Sequence, residues 1–132
     1  MKTLSPYLSF GVSAEAALHF YADAFGGRVT ELKRFAEAPQ MAHPNKQEIL
    51  HGRVEADGIR LMASDGKQEL KGGRISLSLE FSDNAELDRV FAKLSAGGTV
   101  TMPVAEQFWG ARFGMLTDKF GIAWMLNCDA KK

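Results

Sequence analysis

This sequence has a single cysteine, no long apolar run and no block of charges of one sign. Cys128 has no partner for an internal disulfide, which fits a reducing compartment, so we expect a cytoplasmic protein. No apolar stretch approaches the roughly 18 residues of a membrane helix, and the N-terminus lacks the apolar segment of a secretory signal. Sixteen Lys and Arg balance sixteen Asp and Glu without clustering, so nucleic acid and anionic membranes are not expected partners. The expected partner is a small molecule or another protein.

The composition, with 45% hydrophobic and 24% charged residues in a chain of 132, is typical of one compact domain with a real core. Near the C-terminus an aromatic-rich strand pattern runs through a polar turn into a second strand. The last part of that hairpin, Gly121 to Met125, repeats the pattern of Gly58 to Met62, which lies 63 positions earlier (121 minus 58). This repetition indicates a duplicated unit.

The first copy of the unit shows alternating apolar residues in its strands and a 3.6-residue apolar period in its helix. Asp57-Gly58 is the strongest hairpin signal, and the segment at residues 36–47, which contains two prolines, reads as a loop. The predicted elements are a strand at residues 6–10, a helix from the N-cap Ser13 to Gly26, and strands at residues 29–35, 48–56 and 59–64.

The second copy repeats this order at an offset of 71 through the first strand and helix, as in Phe10 and Phe81 (81 minus 10). The offset falls to 63 later, which places about eight extra residues in the first copy's loop. The predicted fold class is therefore α+β with tandem βαβββ units, at about residues 1–66 and 74–128, joined by a polar linker. The second unit is predicted to have strands at residues 75–81, 99–104, 109–117 and 122–127 and a helix that begins at the Asp83/Glu86 capping box.

Motifs spread along nearly the whole chain resemble one superfamily. They include Pro6-Tyr-Leu-Ser-Phe10, Leu61-Met-Ala-Ser-Asp65, Phe108-Trp-Gly110 and Phe120-Gly-Ile-Ala-Trp-Met125. The set resembles the vicinal oxygen chelate superfamily, the glyoxalase/bleomycin-resistance fold, and within it the PhnB-like subgroup, some of whose members carry the label 3-demethylubiquinone 3-methyltransferase-like. The resemblance implies curved mixed sheets around a cavity, helices outside, and a homodimer. In the superfamily's enzymes, His, Gln and Glu side chains from first and last strands hold a divalent metal in the cavity.

Strand alternation predicts which residues face that cavity. If Ile75, Leu77, Leu79 and Phe81 lie under the helix, then Ser76, Ser78 and Glu80 point into the cavity. The offset of 71 then assigns Ser5, Tyr7 and Ser9 to the same face in the first copy, and the last strands contribute Met62 and Met125.

The metal site that the resemblance implies does not fit these residues. The superfamily's final-strand Glu falls on Met125, with Met62 as its counterpart, and the first-strand His falls on Ser5 or Pro6 and on Ser76 or Leu77. Thioether and hydroxyl groups are poor ligands for hard or borderline divalent cations. We therefore expect no bound metal and no cofactor. Methyl transfer would need a cofactor-binding βαβ unit, which the sequence does not show.

Two titratable residues are candidates for catalysis. His51 shares a strand face with Arg53 and Glu55, while Glu48 points to the other face, so His51 and Glu48 cannot simply chelate a metal together. A structural or solvent-facing role, a hydrogen-bonding or acid–base role, and metal binding are the alternatives for His51. Glu80 is either a general base or a partner of a basic residue. The remaining histidines, His19 on a helix beside core aromatics and His43 in a loop, are expected to be structural.

Trp109 and Phe113 are expected on one strand face, either as core or dimer contacts or as an aromatic wall for a planar ligand. The leading hypothesis is a metal-independent small-molecule-binding protein. The alternatives are a lyase, isomerase or dioxygenase, metal-dependent or metal-free, and a purely structural dimer. The predicted ligand-binding residues are Tyr7, Ser9, His51, Met62, Ser76, Ser78, Trp109, Phe113 and Met125.

Overall fold

A computed structural model describes residues 4–39, 43–66 and 75–130, and the predicted linker at residues 67–73 lies outside them. The chain groups into two compact units, Met1–Leu70 and Lys71–Lys132. Each unit contains a strand, a helix and three further strands in that order. The predicted α+β fold of tandem βαβββ units is confirmed.

The elements of the first unit are β1 at Tyr7–Ser9, α1 at Ala14–Phe25, β2 at Arg28–Arg34, β3 at Ile49–Ala56 and β4 at Ile59–Ser64. The four strands form a mixed sheet in the order β1-β4-β3-β2. β1 pairs parallel with β4, and the other neighbours are antiparallel. A short 3-10 helix, Phe35–Glu37, occupies the start of the predicted loop.

The elements of the second unit are β5 at Leu77–Phe81, α2 at Asn84–Ser95, β6 at Thr99–Glu106, β7 at Arg112–Thr117 and β8 at Ala123–Cys128. This unit has the same topology, with the order β5-β8-β7-β6 and a parallel pair formed by β5 and β8. Its strand β6 lies at the edge of the sheet.

The strand register reproduces the repeat seen in the sequence. Tyr7 pairs with Met62 in the first unit, and Ser78 pairs with Met125 in the second. The offsets of 71 (78 minus 7) and 63 (125 minus 62) convert one pair into the other. The two units therefore place equivalent residues side by side between first and last strands.

Each helix packs on one face of the sheet of its own unit. In the first unit Val54 pairs with Leu61 and both are buried, and a side chain added at Gly52 would meet Leu18 of α1. In the second, Trp124 and Leu116 pair and are buried. The opposite face, here called the helix-free face, carries the alternate residues, most of which are half-buried or exposed.

Two predicted strand boundaries are wrong. Trp109 lies in a turn rather than in a strand, because Gly110 adopts a φ of 92° and its N–H bonds to the Gln107 carbonyl, so β7 begins only at Arg112. Ser76 precedes β5, which begins at Leu77, and the neighbouring Ile75 is 79% exposed instead of facing the helix. Both errors extended an alternating pattern past the point where backbone pairing stops.

The helix starts also differ from each other. Ser13 occupies the N-cap position of α1 but its side chain makes no capping hydrogen bond. Asp83 does cap α2, since its Oδ1 accepts a hydrogen bond from the N–H of Ala85. The N-terminus of α1 is instead held by a carboxylate from far along the chain.

Candidate functional site

The helix-free face of the first sheet brings together four of the predicted ligand-binding residues. Tyr7 and Ser9 alternate on β1, and Tyr7 pairs with Met62 on β4. Met62 pairs in turn with Arg53 on β3, and His51 lies two residues before Arg53 on the same face. Tyr7 is 48% exposed, and His51 and Met62 are half-buried, so these side chains can be reached by a small molecule.

His51 lies between two polar partners. The Tyr7 hydroxyl is 3.4 Å from His51 Nδ1, and the two rings are tilted at 35° with centroids 5.9 Å apart. On the other side of the imidazole, Nε2 is 3.7 Å from Oε2 of Glu31, which lies on β2. Sequence reasoning missed Glu31.

The missing signal was the register of β2 against β3. Glu31 pairs with Arg53, and Lys33 pairs with His51, but irregularities interrupt the ladder between Val29 and Glu31 and again after Lys33. A period of two along β2 could have placed Glu31 and Lys33 on one face. It could not have shown which residues of β3 they meet.

Charges of both signs surround this contact. Glu31 is 3.5 Å from Lys33 and 3.6 Å from Arg53. Arg53 also lies 3.8 Å from Glu55, and Glu55 accepts a 3.0 Å hydrogen bond from Arg60. His51, Arg53 and Glu55 therefore lie on one face, as predicted. Glu31 lies close to both His51 and Arg53.

The helix-free face of the second sheet has a different chemistry. Ser78 pairs with Met125, Met125 with Met115 on β7, and Met115 with Met102 on β6. Three thioethers therefore occupy adjacent strands, in the row where the first unit has Met62, Arg53 and Glu31. Flexible, polarisable methionines favour irregular apolar partners. Sequence patterns had indicated only Met125 of this row.

Glu80 and Phe113 also lie on the helix-free face of the second sheet, both beside Asn127. Glu80 accepts a 2.9 Å hydrogen bond from the Asn127 amide and lies 3.5 Å from the Ser78 hydroxyl. Among the described residues, the partners of this carboxylate are an amide and a hydroxyl, and not the basic residue that we had considered.

The predicted aromatic wall is only half assembled. Phe113 is on β7, but Trp109 is in the preceding turn, where it is 54% exposed. The Trp109 ring packs edge to face against the Phe108 ring, with ring centroids 4.8 Å apart. Trp109 and Phe113 do not share a strand face, so that prediction is wrong. Ser76 is exposed ahead of β5.

The other histidines and the two buried aspartates have structural surroundings. His43 stacks on Phe35 at 3.7 Å and lies 2.6 Å from Glu48 through Nε2. His19 lies on α1, as predicted, and is exposed. Asp65 and Asp118 accept backbone hydrogen bonds where β4 ends and where the β7–β8 turn begins.

The resolved pKa shifts belong to surface ion pairs away from the Tyr7–His51 contact. A 2.8 Å hydrogen bond from Arg34 lowers the pKa of Glu15, and the same bond raises that of Arg34. The bidentate hydrogen bond from Arg112 to Asp88 raises the pKa of the Arg112 guanidinium. These shifts describe fixed ion pairs, not a titrating catalytic group.

The chemistry of the donor groups does not fit a chelated divalent cation. Residues 4–39, 43–66 and 75–130 contain no group of three or more His, Cys, Asp and Glu side chains that could hold a metal ion. The positions that the resemblance assigned to ligands carry the Met62 and Met125 thioethers and serine hydroxyls. Such groups do not replace imidazole and carboxylate toward a hard or borderline cation.

Surface hollows lie elsewhere in both units. One of about 440 Å³ surrounds the β3–β4 turn, lined by Ser5, Glu55 and Arg60 among others. Another, of about 570 Å³, lies near the start of α2 and is lined by Asn84, Arg112 and Cys128 among others. Neither of these two hollows is lined by Tyr7 or His51. We base the candidate site on the Tyr7–His51 face because it sets a phenol and an imidazole beside the Met62 thioether.

Comparisons with known proteins agree with this fold. Structures of glyoxalase/bleomycin resistance protein/dioxygenase members share it. The model of the family described as 3-demethylubiquinone-9 3-methyltransferase matches residues 2–127, and the chain belongs to that family. The predicted resemblance is confirmed.

Three relatives illustrate the match. Protein YjdN of Escherichia coli is 33% identical over 94% of this chain and 93% of its own length. The crystal structure of PA1353 from Pseudomonas aeruginosa is 34% identical, with a TM-score of 0.85 over 99% of this chain and all of that one (100%). A PhnB protein from Bacillus cereus, 24% identical, has a TM-score of 0.80 over 96% of this chain and 99% of its own, which shows the fold alone.

Proposed function

We propose that this protein binds a small molecule, without a chelated divalent cation, on the helix-free face of the first sheet. The observation that carries the proposal is the register of β1 with β4, which sets Tyr7 beside Met62, with the His51 imidazole within contact of the Tyr7 ring. Where the superfamily's enzymes hold a metal ligand, this chain has a thioether. The ligand then meets side chains directly.

The chemistry of this face favours a small aromatic or amphipathic ligand. Tyr7 and Met62 offer apolar contact, while the Tyr7 hydroxyl, the His51 imidazole and Ser9 offer hydrogen-bonding groups. Binding sites for small molecules commonly combine an apolar lining with a few placed polar groups. We propose a binding or sequestration role for the protein.

The helix-free face of the second sheet carries a comparable set of its own, and we propose these residues as ligand contacts of that unit. Ser78 and Met125 are equivalent to Tyr7 and Met62, and the row of three methionines enlarges the apolar surface beside them. Phe113, Trp109 and Ser76 remain proposed ligand contacts, although only Phe113 lies on the paired part of the sheet.

A second candidate is a metal-free lyase or isomerase that uses His51 as an acid or base. The observation that favours it is the placement of the imidazole between the Tyr7 hydroxyl and the Glu31 carboxylate. Glu80 is the weaker candidate for a base because it is already bonded to Asn127. We do not propose methyl transfer, despite the description of the family, because the two βαβββ units account for every strand and helix among the described residues.

Two measurements test the proposed function. Metal content after chelator-free purification is measured by elemental mass spectrometry, followed by calorimetric titration with Ni²⁺ and Mn²⁺. We expect no stoichiometric metal and no tight binding. Tight one-to-one binding of either cation would contradict the metal-free site.

Ligands are then sought by a thermal-shift screen of small aromatic and amphipathic compounds. A compound that raises the melting temperature of the wild type is expected to lose affinity with Tyr7→Ala. Ser82→Ala is the matched surface control, since Ser82 is exposed beyond the end of β5. The absence of any hit across the panel, or equal losses in both variants, would argue against this face.

We also propose that the protein is a cytoplasmic homodimer. No helix in the described part of the chain is long and apolar enough to span a membrane. Support for a dimer comes from β6, an edge strand that exposes Val100 (43%) and Met102 (40%). An exposed apolar edge strand is a template for pairing with another chain.

A further inference from the structure

We propose that Glu31, His51 and Tyr7 form an acid–base relay, and that the ligand it serves carries an acidic hydroxyl, as a phenol or an enol does. This inference rests on the proposed function and names the chemical class of its ligand. It adds a positioning residue, Glu31, that neither the motifs nor the resemblance had indicated.

The geometry assigns a direction to the relay. The two ring nitrogens of His51 face different partners, with Nδ1 3.4 Å from the Tyr7 hydroxyl and Nε2 3.7 Å from Glu31 Oε2. A neutral imidazole carries one N–H, and an ionised carboxylate can only accept. In the relay the hydrogen is on Nε2, on the side of the carboxylate, and Nδ1 is the lone-pair acceptor for the proton of Tyr7.

The Glu31 carboxylate is held in position from several sides. Lys33 lies 3.5 Å from its Oε1 and Arg53 lies 3.6 Å from its Oε2. The further charges on this face are Glu55, beside Arg53, and Arg60 on β4. This fixed carboxylate compensates a positive charge on the imidazole when His51 accepts a proton.

The proposed step moves two protons and breaks no other bond. The ligand hydroxyl gives its proton to the Tyr7 oxygen as the proton of Tyr7 passes to His51 Nδ1. The ligand remains as an oxyanion that accepts a hydrogen bond from the Tyr7 hydroxyl, and the imidazolium donates its Nε2–H to Glu31. One negative charge on the ligand and one positive charge on the ring are formed together.

The class of ligand follows from what an imidazole can deprotonate. A carboxylic acid is already ionised at neutral pH and needs no base, whereas an aliphatic alcohol is too weak an acid to give up its proton to imidazole. Phenols and enols with acidity near that of imidazolium lie between these limits. Their flat carbon frameworks also suit contact with the Tyr7 ring and the Met62 thioether, which lie side by side.

The tautomer of His51 can be measured without any ligand. In histidine-labelled protein at a pH where the ring is neutral, two-bond proton–nitrogen correlations distinguish Nε2–H from Nδ1–H, and His51→Gln assigns the signal. We expect the Nε2–H form in the wild type and a shift toward a mixture in Glu31→Gln. Glu55→Gln removes a carboxylate from the same face without touching His51 and is expected to keep the wild-type form. An Nδ1–H ring in the wild type would overturn the relay.

Proton transfer is tested with 4-nitrophenol, whose phenolate has an absorption band distinct from that of the neutral phenol. At a pH where the free probe is largely neutral, the wild type and Glu55→Gln are expected to bind it as phenolate. His51→Gln is expected to bind the neutral form, and Tyr7→Phe to bind about tenfold more weakly, as for one lost hydrogen bond.

The outcomes separate this inference from the proposed function. If 4-nitrophenol binds the wild type as the neutral phenol, or fails to bind while other compounds of the thermal-shift panel do bind, the relay is wrong and ligand binding stands. If no compound of either kind binds, the proposed function itself fails, whatever tautomer His51 adopts.

Discussion

The Asp65 carboxylate accepts a 2.8 Å hydrogen bond from the N–H of Ala14, the first residue of α1 and 51 positions earlier in the chain. Its second oxygen accepts a 2.9 Å bond from the N–H of Ile49 at the start of β3. Asp65 is 5% exposed, so both bonds are buried. One side chain therefore joins the end of β4 to the starts of α1 and β3, and it places a negative charge where the helix dipole favours one.

Removing this carboxylate is expected to destabilise the fold much more than removing the residue at the N-cap position. Asp65→Ala leaves two buried N–H groups without their acceptor, and we expect a loss of about 2–4 kcal/mol in the free energy of unfolding. Ser13→Ala, which removes a side chain without a capping bond, is expected to cost under about 0.5 kcal/mol. Urea denaturation of both variants measures the difference, and similar losses would contradict the role of Asp65.

The Glu15–Arg34 pair makes part of the stability depend on pH. Arg34 lowers the pKa of Glu15 in the folded chain, so the stabilisation is present above the ordinary carboxyl pKa of about 4.3 and is lost as the pH falls through the folded value. We expect Glu15→Gln to lower the melting temperature slightly at pH 7, because the pair is solvent-screened, and not at all in strong acid.

The matched control for that pair is Glu86→Gln. Glu86 occupies the equivalent position in the first turn of α2, at the offset of 71 (86 minus 15). Effects of the helix dipole are common to both sites, so the difference between the two variants reports the Arg34 bond. Identical pH profiles of the two variants would show that Arg34 contributes nothing.

Asp118 is expected to be coupled energetically to Trp124. Asp118 Oδ2 accepts a 2.8 Å bond from the indole N–H, and Oδ1 accepts from the N–H groups of Phe120 and Ile122 in the turn. A double-mutant cycle of Asp118→Ala and Trp124→Phe is expected to give a coupling of about 1–2 kcal/mol. Additive losses in urea denaturation would indicate that the indole bond stabilises nothing.

The edge strand β6 is expected to carry the dimer contact. Val100→Glu places a charge on an exposed apolar position, and charged residues on edge strands oppose pairing between chains. Light scattering after size exclusion is expected to give a dimer for the wild type and a monomer for the variant. Ser82→Glu, at an exposed residue outside β6, controls for added charge and is expected to leave the dimer intact. A monomeric wild type would contradict the proposal.

The sequence predicted the fold well because its signals are local and repeated. The turn at Asp57-Gly58 and the agreement of Phe10 with Phe81 required only short-range patterns and one constant offset. The repeat also predicted correctly that Tyr7 would lie on the face shared with Met62, since alternation and offset together determine which face a strand residue occupies.

The candidate site was predicted only in part, because its decisive contacts depend on register and on long-range bonds. Glu31 meets His51 in the short part of the β2–β3 ladder that lies between two irregular steps. Trp109 left the predicted strand because Gly110 turns the backbone. Asp65 bonds to the N–H of Ala14, 51 positions earlier, and no local pattern indicates so distant a contact.

The most direct test of the account is a titration of chelator-treated, metal-free protein with a thermal-shift hit, followed through the methionine methyl signals by NMR. We predict saturable binding that shifts the Met62 methyl group most among the methionines of the first unit, and that is lost with Tyr7→Ala. Binding that requires added Ni²⁺ or Mn²⁺, or that leaves the Met62 signal unchanged, would contradict a metal-free site beside Tyr7.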